Sequence, residues 1–411
     1  MEQQLKAIPV EKKNPYKIAL AALAILYFLM GFTTVLNDTL VPFFKEGFRL
    51  TYSQSSLVQF YFYLTYGLIS IPAGKLVEKI GYKHGMVWGF CIAAAGAFLF
   101  YPASQLHQYV LFLAALFVIA IGIVTLQVSA NPYITSLGPE HSAASRLTLI
   151  QGVGSIGTTL APVFGAHFIL SRVSESQGQG VLIKPYLLIG ITLLLVGIVV
   201  YFLKLPRVSS SKYKHEKALS VVDMLRRFSN LKYGIIALFA YVGAEVAIGT
   251  YLTNYIADTV GISEGAANIY VSYYWGGMLA GRLTGASILR YIQTNKVLCC
   301  ISLTAIVLIV GSLLSSGYVS IWLMVAVGLC NSVMFASVFS LSVKGLGAST
   351  GKASGMLSTA IVGGAMITYL QGYVKDVSSW GLAFLIPMVC YMLIFLYGYK
   401  LHKNSRTLVE S

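Results

Sequence analysis

Charge is what this chain has least of. Only 14 of its 411 residues are Asp or Glu, and charged residues of both signs make up 10%, where a soluble domain carries about 25%. No stretch is long and polar enough for a soluble output domain, which argues against a membrane sensor. Ser-His-Asp, HExxH and P-loop patterns are absent, which argues against hydrolytic and zinc chemistry and against an ATP-driven pump. Five cysteines (Cys91, Cys299, Cys300, Cys330, Cys390) sit in apolar segments without CxxC spacing, and read as small hydrophobes rather than ligands or redox pairs. The net charge of +15 does not suggest nucleic acid, because the basic residues fall in short gaps between apolar runs and form no aromatic-studded patch.

What is present is hydrocarbon. Apolar residues make up 57% of the chain, mean hydropathy is +0.75, and mostly apolar runs of 18 or more residues recur, the mark of transmembrane helices. Twelve spans are expected, at about 17–44, 55–80, 83–103, 107–136, 143–172, 182–204, 231–257, 265–291, 295–317, 319–344, 352–377 and 379–401. The basic segment before the first run resembles a signal peptide. That run is too long for a signal core and lacks a small-residue cleavage site, so it reads as a retained span. With twelve spans, 24 of the 29 Lys and Arg fall on one side and 5 on the other. The positive-inside rule then puts both termini in the cytoplasm.

The expected organisation is a tail (1–16), a six-helix bundle (17–204), a cytoplasmic linker (205–230) read as a plain basic connection with Ser220–Phe228 as a candidate short surface helix, a second six-helix bundle (231–401) and a tail (402–411). The halves echo each other. Gly74-Lys-Leu-Val-Glu-Lys-Ile-Gly-Tyr-Lys83 at the end of span 2 matches Gly281-Arg-Leu-Thr-Gly-Ala-Ser-Ile-Leu-Arg290 in the corresponding place of the second half, and Gly138–Arg146 before span 5 matches Gly345–Lys352 before span 11. The fold class is therefore all-α, with twelve transmembrane helices in two pseudo-symmetric six-helix bundles and a site between them.

Polar side chains inside spans are costly and mark substrate or ion paths. Asp38, beside Asn37, is a carboxylate in the first span, and Glu245 is another deep in span 7. Gln127 and Asn131 lie four apart on one face of span 4, before a helix-bending Pro132. Gln59, Gln151, Asn254 and Asn331 add amides in spans 2, 5, 7 and 10. Trp275, with Tyr273 and Tyr274, offers an aromatic platform in span 8. His167 lies near the outer end of span 5 and reads as structural. Several amides and an aromatic face suit a neutral polyol, since such pockets place a few polar groups in an apolar wall. Near the basic ends of spans 5 and 8, Arg146 and Arg282 read as gate or structural contacts.

Five separated motifs carry a resemblance: Leu36-Asn-Asp-Thr-Leu-Val-Pro42, Leu126-Gln-Val-Ser-Ala-Asn-Pro-Tyr133, Ser145-Arg-Leu-Thr-Leu-Ile-Gln151, Tyr241-Val-Gly-Ala-Glu-Val-Ala-Ile-Gly249 and Trp275-Gly-Gly-Met-Leu-Ala-Gly-Arg282. With the loop Gly74–Lys83, whose centre is Glu78 and Lys79, they resemble the major facilitator superfamily. Within it they resemble the fucose–galactose–glucose–proton symporter family and its bacterial glucose/galactose branch. The resemblance implies uptake of a hexose, glucose or galactose, by alternating access and symport with a cation, in a bacterial inner membrane. It implies no enzymatic activity, no cofactor beyond the coupling ion, no macromolecular partner other than the bilayer, and a monomer. Glu78, Lys79, Arg146 and Arg282 would then be gating residues, and Gln59, Gln127, Asn131, Gln151, Asn254, Trp275 and Asn331 sugar contacts. The family's coupling carboxylates lie in spans 1 and 4. Asp38 matches the first, while Gln127, which cannot titrate, stands at the second. The expected coupling set is Asp38, Asn37, Gln127 and Glu245. Oxygen ligands suit a hard cation, so sodium held by Asp38, Asn37, Gln127 and Ser129 is favoured over a proton. A proton-coupled fucose-type symporter is the alternative, as is an exporter of drugs or other organic solutes with the same fold.

Overall fold

Twelve long helices account for nearly all of the computed structural model, which describes residues 15–49, 57–168, 179–206, 220–262 and 264–410. They are α1 (Pro15–Gly47), α2 (Leu57–Ile80), α3 (Tyr82–Leu106, with a break at Leu99), α4 (Tyr109–Ser136), α5 (Ala143–Phe168), α6 (Ile183–Phe202), α7 (Ser229–Val260), α8 (Glu264–Tyr291), α9 (Thr294–Leu314), α10 (Gly317–Val343), α11 (Thr350–Val377) and α12 (Trp380–Glu410). No strand occurs among the described residues. α10 is interrupted after Asn331 and resumes at Met334, and α11 tightens to a 3-10 turn at Ala360–Val362 before Gly363 and Gly364. The candidate surface helix is present at Val221–Arg227. Its cap is Ser220, whose hydroxyl accepts from the Asp223 amide at 3.1 Å and donates to the Asp223 carboxylate at 2.6 Å, a reciprocal arrangement that satisfies an otherwise free helix-start donor. Residues 207–219 of the linker lie outside the described residues.

Nine of the twelve helices are long and apolar enough to span a bilayer by length and composition among the described residues. The other three, α2, α5 and α8, are also long enough to span, with 24, 26 and 28 residues. α2 packs on α11 and α5 packs on α8 across the boundary between the halves, so these helices exchange lipid contact for protein contact and tolerate Tyr, Gly, Gln and Arg.

The packing displays the pseudo-symmetry that the sequence only hinted at. In the first half α1 packs on α5, α2 on α4 and α3 on both α4 and α6. In the second half α7 packs on α11, α8 on α10 and α9 on both α10 and α12. Adding six to every number turns one set into the other. The boundary pairs, α2 with α11 and α5 with α8, also exchange under this operation.

Small residues set the closest approaches, as expected where helices associate by packing alone. A side chain on Gly31 of α1 would lie 2.5 Å from the Gly154 carbonyl of α5. Across the boundary, one on Gly74 of α2 would lie 3.1 Å from both the Gly351 carbonyl and the Gly355 Cα of α11. Fully buried Phe44, Phe90, Phe100, Phe112 and Tyr186 fill the first half, with Phe100 and Tyr186 stacked at 3.6 Å; Tyr241, Tyr274, Phe339, Phe384 and Tyr391 fill the second.

Candidate functional site

The basic residues collect at one end of the bundle. Counting 1.5 Å per residue from that face places Tyr27, Gln127, Gln151, Glu245 and Arg282 roughly 12 to 24 Å into their helices, at middle depth, on helices that flank the boundary.

In the first half, the phenol of Tyr27 on α1 donates to the side-chain oxygen of the fully buried Asn131 on α4. Among the described residues the Asn131 amide nitrogen has no partner, and neither does the side-chain oxygen of Gln127 one turn away, nor that of Gln151 on α5. All three atoms are shielded from solvent. Unsatisfied buried polar groups are uncommon and each costs about 1–3 kcal/mol, so these atoms are candidates for contact with a bound polar molecule, as are the equally unpartnered side chains of Ser354, Ser358 and Gln371 on α11.

In the second half, Arg282 of α8 faces two ways. Its Nη2 lies 3.9 Å from the Glu245 carboxylate of α7, and its Nη1 donates at 2.5 Å to the Ser155 hydroxyl of α5, in the other half. Ser155 in turn donates to the Gln151 carbonyl at 3.1 Å. The Arg282 Nε is buried without a partner. A continuous polar chain thus runs from Glu245 through Arg282 and Ser155 to Gln151, and it crosses the boundary once. Tyr241, one turn before Glu245, donates to the Asn331 backbone carbonyl at 3.1 Å. Tyr274 donates to the Glu245 carbonyl at 3.1 Å.

On the basic face a second bridge joins the halves. Glu78 and Lys352 form an ion pair at 3.8 Å, both mostly buried. Ser145 of α5 donates at 2.5 Å to the Ala286 carbonyl of α8.

The structure reassigns several residues. Ser129 leaves the expected cation set: it lies 200° around α4 from Gln127, its hydroxyl donates to the Thr125 carbonyl at 2.7 Å, and it packs against Gly85 of α3. Asn331 is tied into the second half and is no sugar contact here. Its side chain accepts from Tyr391 at 2.7 Å and donates to Tyr274 at 2.7 Å, with no exposed surface. Tyr274 is fully buried as well, which removes it from the aromatic platform, while Trp275 stays 44% exposed with its edge over Gly249. Asn254 is exposed, more than two turns from Glu245 towards the far face. Among the described residues Arg146 binds its own half: it donates to the carbonyls of Ile134, Thr135 and Pro139 and to the Ser142 hydroxyl, fastening the end of α4 to the start of α5. Lys79 is exposed. The side chains of Asn37, Asp38, Gln59 and His167 lie outside the described residues. Among the described residues no group of three His, Cys, Asp or Glu side chains could hold a metal.

Three participants were missed in the sequence. Tyr27 is one tyrosine among 27 and nothing local distinguishes it. Ser155 had a signal, its place one turn from Gln151. Lys352 had one too, as the counterpart of Arg146 in the repeated loop, but its reach across to Glu78 depends on the packing of α2 on α11.

The model of the Major Facilitator Superfamily matches residues 23–369. The chain belongs to this superfamily. It is 44% identical over 394 residues to a glucose/galactose transporter of Brucella abortus, covering 94% of each chain. It is 35% identical over 414 residues to the L-fucose-proton symporter of Escherichia coli, again covering 94% of each. Its fold matches the crystal structure of the superfamily transporter FucP in the outward conformation, with a TM-score of 0.86 at 34% identity over 94% of this chain and 99% of that one. The chain is thus a multi-pass membrane transporter and not an enzyme.

Proposed function

We propose that this protein takes up a hexose by symport with a cation, alternating access to one central site between its halves. The observation that carries this reading is the set of buried, unpartnered polar atoms on Gln127, Asn131, Gln151 and Arg282. Two are acceptors that suit sugar hydroxyl donors, and two are donors that suit sugar oxygens. Trp275, half exposed above Gly249, offers an aromatic face to the C–H side of the ring. The relatives named as glucose/galactose transporters support glucose or galactose as the substrate class, and the buried amides Gln127, Asn131 and Gln151 suit a sugar better than a drug. The basic face is read as cytoplasmic. With Glu78–Lys352 and Ser145–Ala286 joined there, the arrangement corresponds to a carrier closed towards the cytoplasm.

For the coupling ion we favour a proton over sodium, reversing the expectation from the sequence. Ser129 lies on the opposite side of α4 from Gln127, against Gly85 of α3, so the proposed sodium ligands lose one member. A relative 35% identical is named a proton symporter. Glu245 is a described carboxylate at middle depth on α7, and its ion pair with Arg282 supplies the link: a proton on Glu245 removes the charge that holds Arg282 on its own side, which changes the strength of the Arg282–Ser155 bridge between the halves. Asp38, in α1, remains the other candidate carboxylate.

Uptake of labelled glucose, galactose, fucose and mannose into proteoliposomes, under separate sodium and proton gradients, tests both parts. Concentrative uptake of glucose or galactose driven by a pH gradient is expected. Uptake that ignores the pH gradient and follows sodium restores the sodium reading, and no uptake of any hexose removes the sugar assignment.

A further inference from the structure

The surface helix Val221–Arg227 packs by one residue. Met224 is fully buried beneath it and Leu231 is fully buried just after it, which pins the helix against the start of α7. An open cleft of about 520 Å³ lies between it and the start of α7. The walls are Val222, Leu225, Arg226, Ser229, Lys232 and Tyr233. Val222, Leu225 and Arg226 are spaced i, i+3, i+4 on one helix face, so apolar and cationic groups are presented together.

The charge here is one-sided. Arg226 and Lys232 are exposed in the cleft wall, Arg227 is exposed next to it over the Phe228 ring, and Lys400 reaches in from α12 to lie 3.7 Å from the Tyr233 ring centre, with Lys232 at 5.8 Å from the same ring. Among the described residues no carboxylate pairs with any of the four. The nearest in sequence, Asp223, accepts from the Ser220 hydroxyl. Cations that converge without a counter-ion repel each other, and an anion placed among them relieves that repulsion.

The location identifies the anion. Tyr233 is 38% and Ile236 45% exposed on α7, one turn apart, and an exposed apolar side chain on a membrane span faces lipid. The phenol of Tyr233 marks the headgroup level, where tyrosine accumulates. A cleft with basic walls at this level and an apolar side that continues into the bilayer matches a molecule with a phosphodiester at one end and acyl chains at the other. We propose that the cleft is a binding site for the headgroup of an anionic phospholipid in the leaflet that the basic face meets. Arg226 and Lys232 hold the phosphate, Ser229 donates a further hydrogen bond, and Val222, Leu225 and Tyr233 cover the upper acyl chain. The bound lipid ties the linker to the second half at the point where the chain crosses between the halves.

The full-length protein in a neutral detergent, titrated with phosphatidylglycerol or phosphatidylcholine and read by native mass spectrometry, tests this. Phosphatidylglycerol is expected to bind in preference to phosphatidylcholine. In the double variant Arg226→Gln/Lys232→Gln its affinity is expected to fall roughly thirtyfold, on the scale by which each basic side chain adds to binding at an anionic surface. The control Lys75→Gln/Lys344→Gln, which removes two exposed lysines elsewhere on the basic face, should keep wild-type affinity. Both altered residues of the test variant are exposed, and an unchanged thermal midpoint in detergent verifies that its fold is intact. Equal binding of the two lipids, full retention by the double variant, or an equal loss in the control overturns the proposal. So does competition by inorganic phosphate at concentrations comparable to the lipid, because the site would then recognise a free anion.

Discussion

Replacing Gln151 by Ala separates a binding amide from a packing amide. In the structure the Gln151 side-chain oxygen is buried without a donor, so the unliganded protein already carries the cost of an unmade hydrogen bond, about 1–3 kcal/mol. A sugar hydroxyl that donates to this oxygen removes the cost on binding. The Ala variant has no oxygen to orphan, so the cost disappears from the unliganded state and the gain disappears from the complex. Sugar affinity should therefore fall by about 1–3 kcal/mol, roughly 5- to 150-fold in Kd at 1.4 kcal/mol per tenfold. Stability without sugar should change little, because the relieved orphan offsets part of the cavity left by the shortened side chain. The Ser155–Arg282 bridge uses the Gln151 backbone carbonyl and not its side chain, so it should survive the substitution. Calorimetric titration of purified protein, with thermal unfolding run in parallel, measures both quantities. Unchanged affinity, or a large loss of stability with proportionate loss of binding, would refute the reasoning and make Gln151 a helix-packing residue.

Further outcomes follow from the same geometry. Asp38→Asn and Glu245→Gln should each lose pH-driven accumulation while retaining sugar exchange at equal concentrations on both sides; normal accumulation in either variant removes that carboxylate from coupling. Tyr391→Phe leaves the Asn331 side-chain oxygen without its donor and should lower stability by about 1–3 kcal/mol with sugar affinity unaltered, as read by thermal unfolding and binding together. Lys352→Gln leaves Glu78 mostly buried and unpaired, and Glu78→Gln does the reverse, so each should speed labelling of a cysteine introduced at Ser145 on the basic face, with the double variant closer to wild type than either single one; additive effects would deny the pair a gating role.

Composition and periodicity determined the class of this protein. A chain so poor in charge and so rich in long apolar runs can bury its backbone in lipid only as helices, and the spacing of those runs set their number and order. The repeated loops at Gly74 and Gly281 and at Gly138 and Gly345 announced two related halves, and the Gln and Asn residues in the spans pointed to a polar cavity. These features were legible because they are local or periodic. Which polar residue does what was not, because that depends on neighbours from distant segments. Asn331 and Gln151 look alike as amides in apolar spans, yet one meets Tyr274 and Tyr391 and is consumed in packing, while the other meets no donor and stays available. Ser129 and Ser155 are both serines in spans, and only the position of α8 hands Arg282 to one of them. Arg146 and Lys352 occupy equivalent places in the two repeats, yet Arg146 closes on its own half and Lys352 crosses to Glu78. A hydrogen bond or ion pair reaches only a few ångströms, so its existence is decided by tertiary packing, whereas the preference of an apolar helix for lipid is a sum over its own residues and is already complete in the sequence.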